Sequence, residues 1–435
     1  MLMGFQVVET GPTERRLEIE VPAERVGEEF ERIFRSVSSS ARVKGFRPGR
    51  VPRPVLQRLF GEEVRARTAE SLVREAVRNA LVESELPVVS APEIDELSPF
   101  DEHAALHFSA RFEISPEVPE VDLEGLAVAR TAVSVSAEDV DRVLERLRDS
   151  HAELVSIEGR KELARGDFAT VRLEVSEGGK PVELLSRPSA TVEVGAGHLP
   201  AEVDERLALA RIDDSFSLEA PAPEGVPPEI AGRILSWTVT VLSIAAKRLP
   251  GLDDEFARDH GECATLAELR TRVEDSLRED GDRRADAAVR DTLLDALLAR
   301  VPLELPPSLV RERTAALLED FRLQLAIQGM RFTSPAHEEE AREKLQPRAE
   351  REVKAGLVLD RVVQQLELGV DDETISAEVE RLAASAARRG GEIRQHYAEA
   401  SARAALATRM LRARALETLV ARAGIALGVS QATPE

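Results

Sequence analysis

The sequence predicts a multidomain α+β protein: an α+β domain first, then a connector, a small β-rich domain and a large helical C-terminal region. Three observations carry this. The chain has 435 residues, roughly three domains at about 150 residues each. Its hydrophobic period changes along its length: strands and helices alternate up to Ser115, short strands run from Gly166 to Ile244, and helical spacing follows Pro250. At 43% hydrophobic and 32% charged residues, the composition is that of a globular chain with material for a core.

Taken in order, Leu17, Ile19 and Val21 alternate as in a half-buried strand, and residues 24–36 and 62–85 read as helices. The string VKGFRPGRVPRP between them holds two glycines and three prolines and cannot continue a helix, so it is a helix-to-helix loop. Residues 106–114 return to strand period, with Leu106, Phe108, Ala110, Phe112 and Ile114 on one face. Pro- and Glu-bearing residues 115–126 form a connector. A strand follows, and Ser136 with Asp139 opens a spacer helix through a capping box. In the β-rich segment Val171/Leu173/Val175, Val192/Val194, Phe216/Leu218 and Trp237/Val239/Val241 alternate. Thr265 and Glu268 form a second capping-box pattern, and helices are expected from Ser308 to Gly329 and across 336–366, 372–389 and 398–423, with Pro347 kinking or interrupting its helix. The domain boundaries fall at 1–115, 116–160, 161–247 and 248–430.

Composition excludes much chemistry. Aromatic residues make up 3% of the chain, too few for base-stacking platforms. A single cysteine, Cys263, rules out an internal disulfide and a cysteine-based zinc cluster and suits a reducing compartment, so the cytoplasm is expected. No apolar run approaches the ~20 residues of a membrane span, and the opening MLMGFQVVETGPTERRLEIEV has no signal-peptide core; neither membrane nor export is expected. Gly178-Gly179-Lys180 is followed by Pro181 and reads as a turn between strands, not a phosphate loop, so no ATP or other cofactor is expected. His103 and His107 lie beside a strand, where a spacing of four does not converge two rings; His260 and Cys263 lack further ligands, so no metal is expected.

The net charge of −22 repels nucleic acid on average, yet from Arg32 to Gly61 there are eight basic residues and no acidic one. Within that run, two glycines and two prolines shape Gly45-Phe46-Arg47-Pro48-Gly49-Arg50-Val51-Pro52 into a tight loop. Phe46 sits at its tip with Lys44, Arg47, Arg50 and Arg53 around it, either exposed as a docking tip or folded back under its own helices.

GFRPGRVP resembles the G-F-R-x-G-[KR]-x-P signature of the trigger factor family, bacterial chaperones that bind the ribosome at its exit tunnel; Arg50 stands where Lys is more usual, with the charge kept. The resemblance extends over nearly the whole chain in the order of its parts. It implies an α+β ribosome-docking domain, an FKBP-like β-rich head and a large helical C-terminal chaperone domain with two arms. Lys44, Gly45, Phe46, Arg47, Pro48, Gly49, Arg50 and Pro52 would then contact the large ribosomal subunit near the exit tunnel. The family also implies nascent and unfolded polypeptides as clients and a homodimer off the ribosome; the acidity around the basic run and the scarcity of aromatics argue against sequence-specific nucleic acid.

The head is similar to the family's FKBP-type peptidyl-prolyl isomerase module. GAGHLPAEVDERL lines up with G-x-G-x-x-I-P-G-[FL]-E, keeping Leu199 and Pro200 in kind, but Ala201 replaces a glycine and Glu202 or Val203 occupies the apolar aromatic position. Isomerisation works against a barrier of ~18 to 20 kcal/mol by favouring the twisted imide in an apolar, ring-lined cleft. The head offers only Phe168, Phe216 and Trp237 as rings. Two readings stand: a working isomerase lined by Phe168, Leu199, Pro200, Phe216 and Trp237, or an FKBP-like fold kept as a binding or spacing module. In the C-terminal third, apolar stripes such as Leu406, Met410 and Leu411 beside Arg409 and Arg412 suit weak, ATP-independent client contacts, while helix packing accounts for most such residues.

Overall fold

The computed structural model describes residues 4–43, 46, 51–223, 230, 232–259, 263–332, 334–386 and 389–428. It opens with β1 (Gly4–Glu9), β2 (Glu14–Val21), α1 (Ala23–Ser40), α2 (Arg53–Ser84), β3 (Glu93–Leu97) and β4 (Leu106–Glu113). The strands form an antiparallel sheet in the order β1-β2-β4-β3, with Leu17 opposite Ala110, Ile19 opposite Phe108 and Val21 opposite Leu106. That alternation turns one apolar face onto Val26 of α1 and Leu72, Ala76, Val77 and Ala80 of α2. Farther along the helical pair a second cluster joins Phe30, Ile33, Phe34 and Val37 to Val51, Leu56 and Val64.

Helix α2 starts at Arg53, nine residues before the sequence-based expectation of 62. Its first turn accepts proline because the amides there have no intrahelical partner, so Pro52 caps and Pro54 enters without loss. Gly61 lies inside the helix, where glycine costs about 1 kcal/mol, and burial of Leu56 and Val64 offsets it.

The chain continues through β5 (Ala127–Thr131), α3 (Ala137–Ser150), β6 (Glu153–Ser156), β7 (Phe168–Glu177), β8 (Lys180–Pro181), β9 (Arg187–Glu193), α4 (Ala201–Leu207), β10 (Ser215–Pro221) and β11 (Ile234–Arg248). Then come α5 (Asp254–Asp259), α6 (Leu266–Arg300), α7 (Pro307–Ile327), α8 (Pro335–Gln365), α9 (Asp372–Ser385), α10 (Gly390–His396), α11 (Ala400–Arg422) and β12 (Gly424–Gly428). Two compact units result: residues up to Ala129 join Val289–Ala426 in one, and Arg130–Ala288 form the other.

In the Arg130–Ala288 unit, six strands make an antiparallel sheet ordered β10-β11-β7-β8, with β9 also on β7 and β6 also on β11. Val171, Leu173, Val175, Leu235, Trp237, Val239 and Val241 bury one face under Val203 and Leu207 of α4. Helix α3 carries the expected capping box: the Ser136 Oγ accepts from the Asp139 N–H at 3.2 Å and the Asp139 carboxylate from the Ser136 N–H at 3.0 Å. It packs Val140 and Leu144 on Phe256, Leu269 and Val273, with the half-buried Cys263 at the edge. The second pattern is only half a box, because the Glu268 carboxylate takes the N–H of Ala264 at 2.7 Å instead of that of Thr265. His260 lies outside the described residues.

In the other unit, residues 289–301 pack with Val358, Leu359 and Val362 of α8 and Ala415 and Leu419 of α11 around the connector's Val121, Leu126 and Val128. Polar stitches hold the connector: Gln365 accepts from the Val121 N–H at 3.0 Å, and Arg300 donates to the carbonyls of Asp122, Glu124 and Gly125. Helix α8 runs through Pro347 without interruption, so of the expected kink or break the break does not occur. The helical segments end differently from the sequence reading in one further respect: after α11 the chain turns into β12, which pairs with β5. No described helix is long and apolar enough to cross a membrane.

Candidate functional site

The α1–α2 hairpin is held by a buried carboxylate. Glu29 is 4% exposed in its side chain and accepts from Arg32 Nε and Nη2 at 2.7 and 2.5 Å and from Ser71 Oγ on α2 at 2.7 Å. The Arg32 guanidinium first, and then the Ser71 hydroxyl, against the opposing effect of burial, hold its pKa down at about 2. Arg25 on α1 reaches Glu75 on α2 at 3.0 Å. Arg53 pairs with Glu31 of α1 and lies 4.8 Å over the Phe34 ring, keeping the Glu31 carboxyl below its usual range. Two cations of the basic run, Arg32 and Arg53, are therefore answered by acids just upstream of it. Arg53 is not a free member of the collar around Phe46.

At the end of this hairpin Phe46 is 42% exposed, and its N–H donates to the Val43 carbonyl at 3.1 Å. Of the two placements open to it, the ring takes the exposed one. Across the loop, Val51 is buried in the hairpin cluster and Pro52 caps α2, its carbonyl accepting from the Val55 and Leu56 amides at 3.0 and 3.2 Å. Lys44, Gly45, Arg47, Pro48, Gly49 and Arg50 lie outside the described residues. The site can offer a partly exposed apolar ring beyond a helical pair joined through Glu29 and Arg25.

In the head, Leu199, Phe216 and Trp237 meet at one cluster. Trp237 is 3% exposed inside it, and Leu199 and Phe216 are half-buried against it, with the Arg206 guanidinium 5.1 Å over the Phe216 ring. Phe168 is separated from them. Ala169, Val171, Leu173 and Val175 occupy the buried face of β7, so Phe168 lies on the opposite one, 6.0 Å from the Lys247 ammonium. Pro200 is the N-cap of α4. Of the two registers, Val203 is buried in the cluster while Glu202 faces out. Sequence reading missed Asp204. Its buried carboxylate accepts the N–H groups of Gly195 and Gly197 at 2.9 and 3.1 Å, and both glycines have positive φ, 86° and 77°. Asp204 thereby shapes the segment leading to Leu199.

The helical region offers a cavity of about 500 Å³ between α7, α8 and α11, with Leu309, Ala316, Val353 and Leu357 among its lining. On its rim Arg313 pairs with Glu352 at 2.5 Å, and Arg412 pairs with Asp360 at 2.6 Å. On the last two turns of α7, Phe321, Leu323 and Ile327 are exposed, as is Met330 in the turn that follows. Leu406 and Met410, by contrast, serve packing against Ile375 and Val379 of α9.

Residues 3–147 match the family model described as bacterial trigger factor protein (TF), and residues 265–421 match that described as bacterial trigger factor protein (TF) C-terminus. The trigger factor of Anaeromyxobacter dehalogenans (strain 2CP-C) is 32% identical over 427 residues, 97% of this chain and 100% of that protein. The trigger factor of Anaeromyxobacter sp. (strain Fw109-5) is 31% identical over 97% of this chain and 99% of its own. A solved structure described as "Promiscuous Substrate Recognition in Folding and Assembly Activities of the Trigger Factor Chaperone" is 22% identical, covers 96% of this chain and 99% of its own, and has a TM-score of 0.49.

Proposed function

The chain belongs to the trigger factor family, and on that premise we propose that it is an ATP-independent chaperone that docks on the large ribosomal subunit near the exit tunnel and shields nascent polypeptides as they fold. The observation that carries the docking assignment is the exposed Phe46 at the end of the stapled α1–α2 hairpin, inside a stretch of eight basic residues on a chain of net charge −22. Residues 1–115 are the docking domain, 116–160 a connector, 161–247 the head and 248–430 the helical chaperone domain. Lys44, Gly45, Arg47, Pro48, Gly49, Arg50 and Pro52 flank Phe46 as the ribosome contact. Clients are nascent and unfolded chains, the compartment is the cytoplasm, and a homodimer forms off the ribosome.

Reversible docking follows from the magnitudes. Complete burial of a Phe side chain is worth roughly 1.5 to 3 kcal/mol and each exposed ion pair about 0 to 1, so several must act together against the cost of association. Replacing Phe46, Arg47 and Arg50 together by alanine is expected to abolish co-sedimentation with ribosomes while leaving far-UV circular dichroism unchanged. Retained binding by a folded triple variant contradicts the assignment.

The head carries peptidyl-prolyl isomerase chemistry in this family, and two observations favour the alternative of a binding or spacing module here. Phe168 stands apart from the other rings, and Trp237 is part of the core. A protease-coupled assay on a proline tetrapeptide decides: acceleration by the parent that Leu199→Ala or Phe216→Ala reduces supports an isomerase, and no acceleration by the parent removes it. Trp237→Ala is a poor probe because it removes a core side chain.

A further inference from the structure

Helix α7 has no capping group of its own. Its N-cap is Pro306 and its first residue is Pro307, neither with an N–H, and no N-cap side chain bonds the first turn. The first free amide is that of Ser308, and a carboxylate 195 residues away takes it. Glu113, the last residue of β4, accepts from the Ser308 N–H at 2.8 Å and from Ser308 Oγ at 2.5 Å through the same oxygen. The Arg311 guanidinium stands 3.9 Å from the other oxygen. A negative group at a helix N-terminus is favoured by both the open amides and the helix dipole.

The covalent route from the sheet domain to the helical core is short. Ser115 is still tied to the sheet domain, its N–H donating to the Pro87 carbonyl at 2.8 Å. By Val118 the connector already packs on the helical core, and at Val121 the Gln365 side chain clasps it. Between them, Pro116 and Glu117 border an open cleft of about 510 Å³ against α8. A connector this short leaves the angle between the two to the further contacts that join them, and the Glu113–Ser308 pair is such a contact.

We propose that Glu113 is a releasable latch: by capping α7 it fixes the angle between the N-terminal sheet domain and the α7–α8 hairpin, with Pro116–Glu117 as the pivot. This goes beyond the chaperone assignment and does not depend on it. Release of the latch redirects the α1–α2 hairpin relative to the helices without unfolding either. The latch is a charge-assisted pair of hydrogen bonds, so its loss is expected to lower the ratio of latched to unlatched molecules about tenfold.

The test is a distance distribution in the full chain. Spin labels at Glu83→Cys on α2 and Glu343→Cys on α8, in a Cys263→Ser background, report the angle by double electron–electron resonance. The parent should give one narrow distribution. Glu113→Ala should broaden or shift it, and Ser308→Ala, which keeps the backbone donor, should do so to a smaller degree. Distributions for both variants that superimpose on the parent overturn the latch. Should Glu113→Ala lose far-UV circular dichroism, Ser308→Ala decides alone, because its backbone and the Glu113 charge are intact.

Discussion

Replacing Glu29 by glutamine tests the mount on which Phe46 stands. The carboxylate joins α1 to α2 through Arg32 and Ser71, and its pKa is lowered from 4.5 to about 2. A difference of 2.5 units at about 1.36 kcal/mol per unit corresponds to roughly 3 kcal/mol. Glu29 itself is 4% exposed but Arg32 is 63% exposed, so solvent screening on the arginine side reduces this to about 2 kcal/mol. Because the folded-state pKa is the depressed one, the stabilisation is complete above about pH 4.5 and disappears as pH falls towards 2. Hydrogen exchange of the α1 and α2 amides in the full chain reads this locally, without requiring the whole molecule to unfold in one step. Glu29→Gln should speed exchange there about 30-fold at pH 7, the factor equal to about 2 kcal/mol, and the ratio of variant to parent should shrink as pH drops below 4.5. Equal exchange in variant and parent at pH 7 would refute the reasoning.

Two further substitutions probe the other unit. Gly281→Ala would gain about 1 kcal/mol from helix propensity, but a Cβ there comes within 2.4 Å of Val133 Cγ1, and overpacking of a stiff β-branched neighbour costs about 1 to 3 kcal/mol. A lower melting temperature is expected, and a higher one would show that Val133 moves aside freely. Asp204→Ala strips the Gly195 and Gly197 amides of their acceptor and should destabilise the head by about 3 kcal/mol. Trp237, the one tryptophan of the chain, lies in the head core and reports that unit's urea transition by fluorescence; an unchanged midpoint would contradict the role given to Asp204.

Period and punctuation made the architecture legible wherever an element buries one face. Leu106, Phe108, Ala110 and Phe112 read as a strand because alternate positions face α1 and α2, and the Ser136/Asp139 box marked the start of α3 because capping is local. Elements without a buried stripe went unread. β3, Glu93–Leu97, is exposed throughout and belongs to the sheet only by pairing with β4, and β12 exists only through β5, a partner some 300 residues upstream. α2 starts early because a first turn accepts proline and burial of Leu56 and Val64 offsets Gly61, and α8 passes through Pro347 beside the buried Ala349, where packing outweighs a local breaker.

The candidate site divides the same way. Phe46 stood out by composition alone, but the acids answering Arg32 and Arg53 lie outside the basic run, and a count of charges within the run overstates its free positive charge. The Glu29–Arg32 spacing of three was a readable signal for one of them; Arg53–Glu31 bridges two helices and had none. The separation of Phe168 from Trp237 was readable from strand parity, since Phe168 is out of phase with Val171, Leu173 and Val175.

The central claim is that the Phe46 ring itself touches the ribosome. With 42% of the residue still exposed, its complete burial on docking is worth about 0.6 to 1.3 kcal/mol, so Phe46→Ala alone should weaken binding only about three- to ninefold. A photoreactive phenylalanine analogue placed at position 46 tests the contact directly. The account predicts cross-links to large-subunit components near the exit tunnel on illumination with ribosomes at low ionic strength, at a yield well above that of the same analogue at the exposed Leu209 of the head. Equal yields at the two positions, or adducts confined to the small subunit, would contradict it.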